Sequence, residues 1–211
     1  MRTRGVVLEA AAVVFAENGY PAAKVSDILR VAGVTKGALY FHFDSKEALA
    51  RGVLEVRTVL DLPPRELKLQ ELVDVVMVVA HRLPHDAVLR AGAKLSQDTQ
   101  GRRQYGSAWP WWIGVVAGLL VAAQERGEVL AHVVPRESAE LVLAAFHGVQ
   151  LYSQLEMDLT DVEYRTSVLL QHVLPSVATP AVLARLDTGV DRGARVYAQL
   201  QDAQPLAATT A

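Results

Sequence analysis

"VSDILRVAGVTKGALYFHFDSKEAL", residues 25–49, is divided by its small residues. The spacing predicts a short helix over about 25–32 that stops at Gly33, where a positive φ suits glycine. A second helix, about 36–42, follows with Thr35 as its cap. Ile28, Ala32, Val34 and Leu39 would point inward and lock the two together. That leaves Thr35, Lys36, Gly37, Ala38, Tyr40 and His42 around the exposed side. "DSKE" then opens another helix, with Asp44 as N-cap and Glu47 three residues later as a capping box. It is expected to run to about Val59, before Pro63-Pro64 close it.

Working outward, Leu8, Ala11, Ala12 and Phe15 recur at helical spacing, and Asn18-Gly19 is a good stop. Downstream the pattern predicts helices over about 66–82, 86–97, 109–126, 135–157, 161–174 and 180–201. Thr160 with Glu163 reads as a second capping box, and Thr179-Pro180 as a cap followed by proline in the first turn. "TQGRRQYGS" (99–107) reads as a polar loop, and the tail "QPLAATTA" (204–211) as frayed. The valine-rich "LVDVVMVVA" (72–80) would suit a strand, but its neighbours favour buried helix. The expected fold is all-α. A three-helix head spans 1–50, its fourth helix continuing to about 60, and a helical domain spans 65–205.

Half of the 211 residues are hydrophobic, enough for a sizeable core. With no cysteine, disulfides, thiolate metal sites and cysteine nucleophiles are excluded. No apolar run reaches the roughly 18–20 residues of a membrane span. Glu9 and Glu17 interrupt the apolar start in a way a secretion signal would not tolerate, so a soluble cytoplasmic protein is expected. Residues 1–60 carry eight Lys/Arg against six Asp/Glu, and the remainder thirteen against seventeen, the sign expected of a DNA-facing head on an acidic body. His81 and His85 have metal spacing, but Pro84 breaks the helix between them. His85-Asp86 are too close in sequence to orient one another, and His132, His147 and His172 stand alone. No catalytic residue, metal site or cofactor is expected.

Two short helices about a glycine turn, supported by a preceding helix, form a helix-turn-helix. Thr35 and the free amides of the first turn can hold a phosphate, and Gly37 and Ala38 are small enough for close approach to base edges. Lys36 can reach bases or phosphate, and Tyr40 and His42 offer polar tips to backbone oxygens. Phe41 joins the candidate DNA contacts, as do Lys24, Val25 and Ser26 at the start of the earlier helix and Lys46 at the start of the next. Phe41 and Phe43 also read as core, packing the recognition helix onto its neighbours.

Residues 3–50 resemble the DNA-binding head of the TetR family of bacterial repressors, carried by "VVLEAAAVVFAENGY" and by residues 25–49 throughout. "VTKGALYFHF" is similar to the γ-butyrolactone-receptor subgroup. The resemblance implies a homodimer on palindromic double-stranded operator DNA, released by a small molecule bound in the C-terminal domain. Lys24 stands where the family usually has Ser or Thr, trading a cap for a charge. Arg2 and Arg4 are expected to stand in for the basic arm of many relatives.

The same resemblance places Trp112 at the ligand pocket. Trp109, Trp112 and Val116 share a helix face, with Trp111 turned away and Leu119 continuing the apolar surface. Ser96, Gln97, Gln150, Ser153 and Gln154 are polar candidates for orienting a ligand, and Phe146 an apolar one. No charged pair awaits an ion, so a largely neutral inducer (a lactone, furan or butenolide) is expected. Helices 135–157 (Ala139, Leu143, Phe146, Gln150, Ser153) and 161–174 (Tyr164, Val168, Leu169, His172, Val173) are the expected dimer helices by resemblance. A pseudo-receptor or drug-sensing repressor is the alternative function, and a helical enzyme or scaffold the third.

Overall fold

A computed structural model describes residues 2–56 and 62–203. The chain divides into two compact units, Met1–Thr58 with His85–Pro110, and Val59–Pro84 with Trp111–Ala211. Among the described residues no strand forms beyond one isolated antiparallel bridge, Val129 with Ala178.

In the first unit, α1 (Arg2–Ala22) is broken at Gly19 (φ 69°, ψ 171°), where the sequence places its stop. Then come α2 (Val25–Ala32), α3 (Lys36–Tyr40) and α4 (Lys46–Leu54). Their core is Val7, Leu8, Ala11, Val14, Phe15, Ile28, Leu39, Phe43, Leu49, Ala50 and Val53. Gly52 is glycine for want of space, since a Cβ there would lie 2.8 Å from Leu8 Cδ2 and 3.0 Å from Phe43 Cε1. The cap of α4 is Ser45, whose Oγ accepts from Ala48 N at 3.1 Å; Asp44 does not cap it. With Ser45 as cap, Ala48 and not Glu47 stands three residues on, so no box closes, and the Glu47 carboxylate accepts the Tyr20 hydroxyl at 2.7 Å. The described part of α4 ends at Leu54, and positions 57–59 of the expected helix lie outside the described residues.

Two further helices complete this unit, α6 (Ala87–Gln97) and the short α7 (Arg102–Tyr105), which lies inside the segment expected to be loop. Ala91, Leu95 and Tyr105 enter the same core, so 85–110 packs with the head although the sequence assigns it to the C-terminal domain. Lys94 fastens α6 to α1, donating to the carbonyls of Ala16 (3.1 Å) and Glu17 (2.9 Å).

The second unit is built around α5 (Lys68–Arg82), whose residues Leu69–Ala80 are all buried except Glu71. The valine-rich run is therefore helix, buried on every side because α10 (Val162–Val173) and α12 (Arg192–Ala203) both pack on it. Its N-terminus is capped from afar: Glu128 accepts from Lys68 N (3.0 Å) and Leu69 N (2.9 Å). The other helices here are α8 (Trp109–Glu125, from Trp111), α9 (Pro135–Met157), α10 (Val162–Val173), α11 (Pro180–Leu183) and α12 (Arg192–Ala203).

The expected helix 180–201 is thus two. Between them the Asp187 N–H donates to Gln70 Oε1 (2.8 Å) and the Thr188 carbonyl accepts from Ser167 Oγ (2.6 Å), so side chains of α5 and α10 claim the backbone. Thr160 does not cap α10; its hydroxyl donates to Met157 O, while the Glu163 carboxylate meets His81 Nδ1 at 3.1 Å. Thr179 makes no side-chain cap bond. Asp74, fully buried, accepts from Arg65, Gln70 and Arg192 at 2.7–2.9 Å and ties α12 to α5.

Candidate nucleic-acid interface

The turn between α2 and α3 is set by two local devices. Gly33 adopts φ 64°, ψ 28° and closes α2 through its N–H to Leu29 O, a conformation glycine takes at no steric cost. Two residues on, the Thr35 hydroxyl accepts from Ala38 N at 3.2 Å and starts α3. Ile28 and Leu39 are fully buried between the helices, with Ala32 and Val34 packed beside them. Outward, α3 presents Lys36 and Gly37 exposed and Ala38 half-buried. The Lys36 ammonium lies 5.8 Å from the Tyr40 ring centroid, one helical turn on.

Phe41 is 84% exposed, with Tyr40 at 41% and Phe43 at 4%, so of the two phenylalanines only Phe43 is core. The Phe41 ring meets His42, half-buried, edge-on at 5.1 Å. Lys24 and Ser26 are exposed at the start of α2, whereas Val25 packs against the core. Lys46 is half-buried: its Nζ donates to Ala23 O at 2.9 Å and sits 4.4 Å above the Tyr20 ring. Burial lowers its pKa. Arg4 lies 5.2 Å over Phe43, and the Arg2 side chain lies outside the described residues.

The ligand candidates fall in both units. Ser96, in the first unit, is buried with its Oγ accepting from Ala108 N at 3.1 Å. Trp109 has the Arg102 guanidinium 5.7 Å over its ring. On α8 the buried stripe is Ile113, Val116, Leu120 and Ala123, with Trp112 and Leu119 half-buried at its border. The Trp111 ring meets Trp112 edge-on at 4.5 Å. On α9 Phe146 and Gln150 are buried, as is Ser153, whose hydroxyl is taken by Asp161. Gln154 faces outward and donates to Asp158 Oδ1 at 2.9 Å.

Helix α9, expected at the dimer contact, has two apolar faces. Ala139, Phe146, Gln150 and Ser153 are buried within the subunit. The outward stripe is Leu141 (62% exposed), Ala144, Gly148, Leu151, Tyr152 and Leu155 (73%), beside Tyr164 and His172 of α10. Sequence reasoning passed over Tyr20, although that aromatic directly follows Asn18-Gly19.

Among the described residues no group of His, Asp and Glu is placed to hold a metal, and no helix is long and apolar enough to cross a membrane.

A capped, glycine-turned helix pair offering a cation, small residues and aromatics on one exposed face is a helix-turn-helix head, and defines a DNA-binding regulator. Residues 7–53 match the model for bacterial regulatory proteins of the tetR family. The chain is 40% identical over 183 residues to the A-factor receptor protein of Streptomyces griseus, covering 85% of this chain and 65% of that receptor. Full-length TylP, a TetR regulator from Streptomyces fradiae, superposes with a TM-score of 0.87 at 36% identity, over 94% of this chain and 97% of that one. A γ-butyrolactone receptor (ArpA-like protein) does so with 0.71 at 26%, over 94% and 98%. The chain belongs to the TetR family, a class of helix-turn-helix transcriptional regulators and not of enzymes.

Proposed function

We propose that the protein is a homodimeric repressor that binds a palindromic operator and is released by a small, largely neutral ligand of the γ-butyrolactone, furan or butenolide kind, so controlling secondary metabolism. The observation that carries this is the exposed face of α3, with Lys36, Gly37, Tyr40 and Phe41 outward over a buried Leu39. Lys36 and Thr35 supply positive charge and free amides for phosphate and base acceptors. Phe41 and Tyr40 supply apolar edges for sugar and thymine methyl. The relatives named above as receptors support the ligand class, with Trp112 as its first wall.

Dimerisation uses the outward stripe of α9 together with α10. Leucines at both ends flank Ala144 and Gly148, small enough to let two copies approach closely. Two recognition helices must then sit roughly 34 Å apart, one turn of DNA. A ligand that binds the mis-spaced conformation better shifts the population away from the operator.

The test is an electrophoretic mobility shift on the DNA upstream of the protein's own gene, with and without a γ-butyrolactone. Lys36→Ala and Tyr40→Ala are expected to abolish the shift while the dimer and the melting curve stay intact. Trp112→Ala should keep the shift and blunt its release. A ligand that binds tightly yet leaves operator affinity unchanged would refute the mechanism.

A further inference from the structure

The segment 98–106 forms one side of an aromatic stack that ends under a DNA-side lysine. Tyr105 is 3% exposed, and its hydroxyl donates to Asp98 Oδ2 at 3.0 Å, with Leu95 O a second acceptor at 3.3 Å. The Tyr105 ring rests 4.6 Å from the Tyr20 ring, which Phe15 backs at 5.9 Å. The Tyr20 hydroxyl holds Glu47 at 2.7 Å, and the Tyr20 face carries the Lys46 ammonium at 4.4 Å. That ammonium also bonds the Ala23 carbonyl at 2.9 Å, directly before exposed Lys24 and the first turn of α2. An ammonium has three donors, so two remain for phosphate once Ala23 is served.

The glycine in "QGRRQY" belongs to the same device. Gly101 has φ −67°, which any residue adopts. A Cβ there would nonetheless lie 2.5 Å from Asp98 Oδ2 and 2.6 Å from both Tyr105 Cε1 and Oη. The position is glycine because a side chain would lever Tyr105 away from Asp98.

We propose that Tyr105 is a positioning residue for DNA binding: anchored on Asp98, it holds the Tyr20 ring in place, and that ring aims Lys46 at the phosphate beside the start of α2. The proposal rests on reading the head as a DNA-binding surface. It assigns work to a segment outside α2 and α3 that the sequence presents only as a loop.

Two experiments test it. In DNA-free protein, acetylation of Lys46 by acetic anhydride is compared with that of exposed Lys24 by peptide mass mapping. Tyr105→Phe, Gly101→Ala and Tyr20→Leu should each raise the Lys46 to Lys24 ratio several-fold; an unchanged ratio in folded variants overturns the positioning, whatever the DNA result. The second is operator binding across a salt series. Lys46→Ala should lower the slope of log affinity against log salt by about 1, the value of one phosphate contact. Tyr105→Phe and Gly101→Ala should weaken binding on the order of fivefold to tenfold and lower that slope part of the way. In the Lys46→Ala background neither should weaken binding further, because the path of their effect is gone. Losses that add in both backgrounds, or that leave the slope untouched, would show that Tyr105 merely stabilises the fold. If wild type binds no operator at low salt while the acetylation ratios move as expected, the reading of function fails and the positioning of Lys46 stands.

Discussion

Removing the Asp74 carboxylate should destabilise the second unit more than any surface change. Asp74 has no exposed surface and lies between two guanidiniums, accepting from Arg192 Nε (2.7 Å) and Nη2 (2.8 Å), Arg65 Nε (2.7 Å) and the Gln70 amide (2.9 Å). In Asp74→Ala the Arg192 side chain, 12% exposed, stays largely buried with only Asp187 to answer it, at 3.2 Å. Breaking one partner out of a buried pair costs about 3–5 kcal/mol. At about 2–4 °C per kcal/mol for a chain of this size, that is a fall of roughly 6–20 °C in melting temperature. Urea unfolding followed by far-ultraviolet dichroism measures it directly. The double replacement Asp74→Leu with Arg192→Met should cost less than the single change, because the more deeply buried of the two guanidiniums leaves with the carboxylate. A single-variant loss under about 1 kcal/mol, or a double variant no better than the single, would refute the charge argument.

Gly193→Ala should lower the melting temperature although alanine favours helix by about 1 kcal/mol. Its Cβ would lie 2.3 Å from the Met77 carbonyl oxygen and 2.9 Å from His81 Cβ. Overpacking of about 1–3 kcal/mol or more against backbone therefore outweighs the propensity, and a rise on calorimetry would contradict so close a crossing of α12 on α5. Acid stability should depend on Tyr20. The Tyr20 hydroxyl, with backbone and Ser45 hydrogen bonds, holds the Glu47 carboxyl down at about 2, against an unfolded value of about 4.3. The stabilisation is therefore complete above the unfolded value and is lost as pH falls toward 2. Urea midpoints at pH 7 and pH 3 should fall further apart in wild type than in Tyr20→Phe, and equal pH dependence would remove Glu47 from the acid transition.

The head was legible because its signals are local. Gly33, Thr35 and the apolar spacing of Ile28 and Leu39 act within a few residues, and the structure returns α2 over the predicted span. The errors lie where a distant group competes. Glu47 looked like half of a capping box, but the cap falls one residue later, on Ser45, and the Glu47 carboxylate is held by Tyr20, 27 residues earlier. The run 180–201 looked like one helix because Gln70, 117 residues upstream, is invisible to periodicity. Helix α9 is apolar on two sides, so spacing alone could not say which side its own subunit covers. Phe41 followed the same rule: only the packed α3 reveals that its neighbour Phe43 fills the core and leaves Phe41 to solvent.

The charged tie between α5 and α12 also sets an order of events. Its partners Asp74 and Arg192 are 118 residues apart, in a class of fold whose contacts are otherwise mostly short-range. At about 5–20 residues per second on a ribosome, Arg192 emerges roughly 6–24 s after Asp74. Until then the valine-rich flank that α12 covers waits without its lid, a long exposure for so apolar a helix. Among the described residues, a late helix thus completes the first helix of its unit, and premature termination before Arg192 would release a chain prone to aggregate.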